Sequence, residues 1–406
     1  MKEKIKAVGL LLTVILLTGG CAHIGNSVPA AGPSYNTVKE TAERDEEEVS
    51  FEKGPQPVLS PENETGRLKL DHAREFSVRF YGDDYTLIDI AATGEYLVVD
   101  EGAGVPEELD EDIVVLRKPF EHTYLAASSV MDFYRELGIL DRVGMTSTKY
   151  EDWSIDEVKR ALYEGDMEYV GKYNAPDYEY VLESGCDLAV ESTMIYHSPE
   201  VKEKLEELNI PVMVEHSSYE RDPLGRLEWI KLYGILNDRQ KEAGAFYEEA
   251  VKKLESVTDT AGTGKTAAFF YFTANGGVSV RKENDYVAKM IGLAGAEYVP
   301  RFDEGDDAQM RSSVTIQSES FYEKAHAADF LIYNSTISGE VDSLEDLFEK
   351  NDLIREFKAV KEGQVWCTRA DMFQRVTAAA DITAEFHEVF SGNTDGSGLM
   401  YLYRLK

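Results

Sequence analysis

Asp187-Leu-Ala-Val-Glu-Ser-Thr-Met-Ile195 and Asp329-Phe-Leu-Ile-Tyr-Asn-Ser-Thr-Ile337 are two copies of one phrase, and each follows a helix-like stretch. Each is an apolar run closed by small hydroxyl residues. Such a run reads as a buried parallel strand whose carboxyl end opens toward whatever the sheet binds. A repeat of this kind implies two similar half-structures with a helical segment between them. Two lobes held apart by a helix leave a cleft without a large hinge, which favours ligand capture over chemistry. The competing reading is chance similarity, because buried apolar strands resemble one another by composition alone.

Working outward, short apolar runs at 76–81, 85–91, 96–100 and 113–116 alternate with turns and predict an antiparallel opening. Beyond Pro119 the spacing predicts a helix over 124–138, a strand near Val143, and strand–helix alternation as far as Ile210-Pro-Val-Met-Val. Pro223 suits the first turn of a new helix. From 223 to 257 no Gly-Pro breaker intervenes. Ile230, Tyr233, Leu236, Ala243, Phe246, Ala250 and Leu254 recur at helical spacing, so one rod of roughly 50 Å is expected. A second lobe opens at the aromatic run Ala267-Ala-Phe-Phe-Tyr-Phe. Helices near 285–293, 319–327 and 343–358, a strand at 364–367 and a helix near 377–390 follow. The expected fold is α/β, two Rossmann-like lobes joined by one long helix with the ligand cleft between them. The divisions are 1–21 signal, 22–66 tether, 67–222 first lobe, 223–257 linking helix and 258–406 second lobe.

Lys2, Lys4 and Lys6, the apolar run 7–17 and Thr18-Gly19-Gly20-Cys21 have the three-part layout of a secretory signal. The apolar run is too short to span a bilayer. Small residues before a cysteine resemble the bacterial lipobox, which would make Cys21 a lipid anchor, although Thr18 stands where that motif usually has leucine. A plain secretory signal with an incidental cysteine is the alternative. The acidic run 40–52 lies among Pro, Gly, Ser and Asn and reads as a disordered tether with a reach on the order of 35–40 Å. Cys186 and Cys367 fall in apolar runs of different halves and are expected to be unpaired, inert core thiols. With 42 basic against 76 acidic residues, the net charge is −34, which argues against sequence-independent attraction to nucleic acid or anionic lipid.

Several catalytic patterns fail. Gly262-Thr-Gly264-Lys265-Thr266 looks like a phosphate loop, but Asp259 stands where the first glycine is needed and a strand follows. Gly102-Ala-Gly104 runs into Pro106 and is no dinucleotide fingerprint. The seven histidines include no pair at helical spacing, His387-Glu388 lacks a second histidine, and no serine sits in a Gly-x-Ser-x-Gly elbow. No enzyme, and no bound cofactor, is expected.

The stretch Ser217-Ser-Tyr-Glu-Arg-Asp-Pro-Leu-Gly-Arg-Leu-Glu-Trp places hydroxyls, an aromatic and two arginines where a strand meets the linking helix. Taken with Asn174-Ala-Pro-Asp-Tyr-Glu, the two repeat phrases and Phe357-Lys-Ala-Val-Lys-Glu-Gly-Gln-Val-Trp-Cys, it resembles the solute-binding lipoproteins of bacterial ABC importers, in the group that takes up iron chelates and cobalamin. The resemblance covers about residues 112–390. It implies an extracytoplasmic, lipid-anchored, monomeric receptor that settles a ferric siderophore, haem or corrinoid between two lobes and passes it to a membrane permease. Arginine forks and broad aromatic faces suit such ligands.

On that reading the first-lobe candidates are Ser128, Ser129, Tyr150, Trp153, Tyr173, Asn174, Thr193, Met194, Tyr196, His197, Tyr219, Arg221 and Arg226. The second-lobe candidates are Asn275, Arg281, Met310, Arg311, Asn334, Thr336, Trp366, Met372 and Phe373. Each has an ordinary alternative: Arg226 pairing with Asp222 or Glu228, His197 as a hydrogen-bonded loop residue, Met310 and Met372 as packing, Tyr150 and Trp153 as core. The resemblance also implies a docking glutamate on each lobe, for which Glu200 and Glu319 stand at the matching places; acidic residues at helix N-termini also compensate the dipole. Two further readings stay open. One is a receptor for a bare divalent metal held by His197, His216 and nearby carboxylates such as Glu191 or Glu215; the other is a secreted α/β hydrolase.

Overall fold

The computed structural model describes residues 58–258, 262–302 and 312–406. Cys21, most of the expected tether and the candidates Met310 and Arg311 lie outside the described residues.

The opening stretch folds as a sheet of its own. Gly66–Arg67, Phe76–Tyr81, Tyr85–Ile90, Gly94–Val99 and Val114–Arg117 lie side by side in chain order, antiparallel except for the last pair. Alternation sends Phe76, Val78, Ile88 and Ile90 into the core of the first lobe, while Tyr81, Leu87, Leu97 and Val99 build a small core on the opposite face. The first lobe proper carries a parallel sheet ordered Val212–Glu215, Leu188–Ser192, Thr123–Leu125, Val143–Thr146, Glu168–Tyr169. Its central strands are buried along their length, as a sheet covered on both faces requires.

The second lobe has a mixed sheet ordered Ser313–Ile316, Val278–Arg281, Lys265–Phe272, Phe330–Tyr333, Val365–Thr368, Leu402–Arg404. Ala296–Val299 pairs with the first half of Lys265–Phe272. The α/β class with two lobes therefore stands.

The sequence repeat is a repeat of structure. Leu188–Ser192 and Phe330–Tyr333 are inner strands of different sheets. At the head of the first, Asp187 Oδ2 accepts hydrogen bonds from the amides of Glu121 (2.5 Å) and His122 (2.8 Å), just before the neighbouring strand. At the head of the second, Asp329 Oδ2 accepts from the amide (2.8 Å) and hydroxyl (3.1 Å) of Thr266 in its neighbour. Both strands end in the same kind of cap: Ser192 Oγ accepts from Met194 N and Asn334 Oδ1 from Thr336 N.

The single rod is corrected. Residues 223–257 form three helices, Pro223–Glu228, Ile230–Leu236 and Gln240–Thr258. The first starts as expected, with Pro223 in the first turn and Asp222 Oδ1 accepting from the amides of Leu224 and Gly225. At Trp229 the chain stays in right-handed helical geometry, so the first two pieces are nearly continuous. The real break is at Asn237 and Asp238, where Asp238 has φ +56°. There the chain folds back, and Ala243 packs so tightly on Gly234 that a Cβ on Gly234 would stand 2.7 Å from the Ala243 methyl. Nine residues of straight helix would separate the two by about 13 Å. Periodicity misses the break because Ile230–Leu236 is buried at nearly every position and the buried stripe of Gln240–Thr258 continues the same spacing in the same core. Asn-Asp, tolerant of left-handed geometry, was the available signal. The last helix then packs on Ala379–Ser391 of the second lobe.

The second lobe also reaches into the first through residues 374–377. Gln374 Oε1 accepts from Ser154 N (2.7 Å) and its Nε2 donates to Asp152 O (2.8 Å). Asp132, fully buried, accepts from Arg135 Nε at 2.7 Å and from Thr377.

Candidate functional site

A cavity of about 690 Å³ lies where the parallel strands of the first lobe end. Its first-lobe wall is made by residues that end or follow four of those strands: 126–129, 147–148, 192–194, and Glu215 with 218–221, joined by Lys172 and Tyr173. The second lobe supplies Asn284, Asp285 and Tyr286 at the start of the helix Tyr286–Leu293, together with Ser312 and Ser313. Crevices at the carboxyl ends of parallel strands are where open α/β sheets take ligands. Serine, threonine and tyrosine dominate the lining, with Lys172 and Arg221 as its cationic side chains.

Seven of the candidates meet here: Ser128, Ser129, Tyr173, Thr193, Met194, Tyr219 and Arg221. Tyr196 and His197 are exposed beside the wall, at the end of the short helix that carries Thr193 and Met194. Asn174 and Tyr150 are exposed outside the cavity, with the Lys159 ammonium over the Tyr150 ring. Trp153 is corrected to core: it is 1 % exposed, and its indole donates to Thr148 O at 3.1 Å. Trp366 and Met372 are likewise buried in the second-lobe core: Trp366 sits in a strand covered on both faces, and Met372 is packed in from the turn that follows it.

Arg226 is also buried, and pairs with neither Asp222 nor Glu228. Its guanidinium lies 4.4 Å from the centre of the Tyr286 ring, behind the cavity wall. Arg281 covers Phe373 in the same way at 4.8 Å and stands 3.7 Å from Asp285. Asn275 sits in an exposed turn. Asn334 and Thr336 turn onto each other, the threonine hydroxyl donating to Asn334 Oδ1 at 2.6 Å.

Sequence reasoning missed Ser147, Thr148, Lys172, Ser192, Ser218, Glu220 and the whole second-lobe contribution, and it had Glu215 only as a metal ligand. Ser192 closes a repeat phrase and Ser218 and Glu220 flank chosen residues, so position was the usable signal there. For Asn284 to Tyr286 the helix start at Asp285 was the only mark.

Three buried carboxylates stand in the wall. Glu215 accepts from Ser217 N (2.7 Å) and Ser129 Oγ (3.4 Å). Burial pushes Asp285 up, against the pull of Arg281, the Val287 amide and Arg226. Glu220 is also pushed up by burial, although it accepts from the amides of Arg74 and Glu75 and the Trp229 indole. Beneath the wall Glu191 is fully buried with neither carboxylate oxygen hydrogen-bonded, and burial pushes it up to about 8. Burial also pushes the thiols of Cys186 and Cys367 up, to about 12 and about 11, so both are unreactive, and both are free.

The metal cluster proposed from sequence does not assemble. Among the described residues no three His, Cys, Asp or Glu side chains converge, and His216 bonds to Glu75 instead. Glu200 and Glu319 are both exposed, each in the first turn of a helix, Pro199–Glu207 and Ser318–Ala325. Among the described residues no helix is long and apolar enough to cross a membrane.

Two uncharacterized lipoproteins of Methanocaldococcus jannaschii are similar to this chain. One is 25 % identical over 78 % of the chain and 79 % of its own length, the other 24 % identical over 98 % of each. A periplasmic binding protein from Veillonella parvula shares the fold with TM-score 0.56 and 15 % identity, covering 72 % of this chain and 96 % of that one. A periplasmic heme binding protein from Pseudomonas aeruginosa gives 0.56 and 15 %, over 70 % and 98 %. A siderophore binding protein in complex with two acinetobactin molecules and ferric iron gives 0.55 and 15 %, over 77 % and 99 %. The family model for periplasmic binding proteins matches residues 126–372, which contain the first-lobe wall, the folded-back helices and most of the second lobe. With that match over more than half its length, the chain belongs to the periplasmic binding protein family, and its role is to bind a solute rather than to transform one.

Proposed function

We propose that this protein is the extracytoplasmic, lipid-anchored receptor of an ABC importer, and that it captures an iron complex (a ferric siderophore or haem) or a corrinoid. The observation that carries the reading is the interlobe cavity itself. At about 690 Å³ it is of ligand size, and it is walled by hydroxyls from both lobes with Tyr173, Tyr219 and Met194 presenting broad faces. Hydroxyl and phenol groups hydrogen-bond chelate or corrin side groups without the desolvation cost of a charge, and Arg221 and Lys172 complement negative oxygens. Cys21 would carry the lipid, and Glu200 and Glu319 would meet the permease, one on each lobe.

Titration of the purified protein with a ferric trihydroxamate, a ferric tris-catecholate, haemin and cyanocobalamin tests the ligand class. Saturable quenching of tryptophan fluorescence by one of them is expected; silence with all four would remove the reading. Mass spectrometry of the membrane-extracted protein checks the anchor: diacylglycerol on Cys21 is expected, and an unmodified N-terminus sinks it.

A further inference from the structure

The sheet of residues 66–117 lies outside the stretch that matches the family, yet it is joined to the cleft wall by a dense set of bonds. Two buried carboxylates, Glu220 and, in the helix that follows, Glu228, accept five consecutive backbone amides from the segment between the first two strands of this sheet. Glu228 takes Asp71, His72 and Ala73 at 2.8 to 3.1 Å, and Glu220 takes Arg74 at 2.8 Å and Glu75 at 2.9 Å. Burial alone would push the Glu228 carboxyl up, but the Ala73 amide, Lys231 and the other two amides hold it below the ordinary value. A carboxylate that accepts several amides is a strong, geometrically definite anchor.

The anchored segment then acts back on the wall. Glu75, whose amide Glu220 fixes, places its carboxylate 3.1 Å from His216 Nδ1. The imidazole, 7 % exposed, stacks on the ring of Tyr219 with centroids 3.9 Å apart and planes 17° from parallel. Tyr219 lines the cavity and is 46 % exposed. A half-exposed tyrosine in a loop ordinarily samples several rotamers, and facing the ligand correctly costs the entropy of choosing one. Here one face of the ring is taken by an imidazole that cannot turn while Glu75 holds it.

We infer that Glu75 is a positioning residue for the ligand site: through His216 it fixes the plane of Tyr219 in the cleft wall. The N-terminal sheet is thereby part of the binding apparatus, preorganising a surface that it does not itself line. The inference rests on the interlobe cavity being the ligand site, and its test separates the two.

The experiment uses the full chain, wild type and the variants Glu75→Gln and His216→Asn, with folding checked by circular dichroism. Tetranitromethane nitration is followed by peptide mass spectrometry, with Tyr163, 83 % exposed, as internal reference. Without the stack the second face of Tyr219 opens, so its nitration relative to Tyr163 is expected to rise several-fold in both variants. In parallel, affinity for whichever of the four probes the wild type binds is expected to fall roughly tenfold with little change in melting temperature. Unchanged nitration of Tyr219 in both variants overturns the inference, as does raised nitration with unaltered affinity. If the wild type binds no probe, the functional reading falls by itself, and nitration alone decides whether Glu75 holds the ring.

Discussion

Asp132 Oδ2 accepts both the backbone amide of Thr377, at 2.8 Å, and its hydroxyl, at 2.5 Å, across the junction of the two lobes. The carboxylate is fully buried and also bonds Arg135, with Arg375 of the second lobe at 3.9 Å. A buried charge gripped from both sides is a fixed joint. With the Gln374 amide bridging Asp152 and Ser154, it sets the separation of the lobes behind the cavity.

Removing that carboxylate takes the acceptor from the Thr377 amide and hydroxyl and from Arg135 Nε, and leaves Arg375 with its pairing to Asp371. Asp132→Ala is expected to cost about 3–5 kcal/mol, and Thr377→Val, which removes the hydroxyl's bond to Asp132 and the one it accepts from Arg135, about 1–2 kcal/mol. Urea unfolding midpoints check both. Equal losses in the two variants would mean that the carboxylate does not act as a shared anchor.

Glu191 gives a pH dependence with a definite sign. Its folded carboxyl is pushed by burial from an ordinary 4.5 up to about 8. Below pH 4.5 both states hold the proton and nothing is lost. Between 4.5 and 8 the unfolded chain releases its proton while the folded one keeps it, so stability falls as pH rises and levels off above 8. Glu191→Gln is expected to remove this slope and to exceed wild type at pH 9 by on the order of 2–4 kcal/mol. Urea midpoints at pH 5, 7 and 9 decide it; a slope as steep in the variant as in wild type contradicts the assignment.

The folded-back helices predict opposite effects at two glycines. At Gly234 an added methyl would meet the Ala243 methyl at 2.7 Å and the Arg239 carbonyl oxygen at 3.0 Å, so Gly234→Ala is expected to cost about 1–3 kcal/mol. At Gly244, within Gln240–Thr258 and with nothing within 4 Å of the new atom, Gly→Ala is expected to gain about 0.5–1 kcal/mol. Thermal melts of the pair test the fold-back directly, because an unbroken rod would treat both substitutions alike.

For ligand affinity, Arg221 and Trp153 should separate. Arg221→Ala, in the cavity wall, is expected to weaken the preferred probe roughly tenfold at unchanged stability. Trp153→Ala, in the core, is expected to lose about 3–5 kcal/mol of stability. Fluorescence titration and urea unfolding on the same preparations show which residue touches ligand; a weaker effect of Arg221 than of Trp153 on affinity per folded molecule would reverse the assignment.

The two strands of the repeat were legible because burial on both faces writes an uninterrupted apolar run, and their aspartates and hydroxyl caps are local features. Seven first-lobe candidates were legible for the same reason: they follow strand ends. The second lobe was not, because its cavity residues sit at the start of a helix and at the start of an edge strand, where no periodicity marks orientation. Trp153, Trp366 and Met372 misled because a large side chain near a strand end can face the cleft or the core, and residue type does not say which. The fold-back at Asn237 and Asp238 escaped because both arms pack into one core, the first of them buried nearly all round. The bond between Glu75 and His216 joins residues 141 apart, a distance at which sequence carries no visible pattern.

The grip of Glu220 and Glu228 on residues 71–75 has a temporal side. The partners are separated by 145 to 157 residues of chain, so the segment made first must wait for nearly the whole first lobe before its amides find acceptors. Contacts of such long sequence separation close late and slowly. The wall that carries Tyr219 and Arg221 therefore depends on a segment far from it in sequence: a chain cut back past residue 75 would leave Glu220 and Glu228 without their five amide donors.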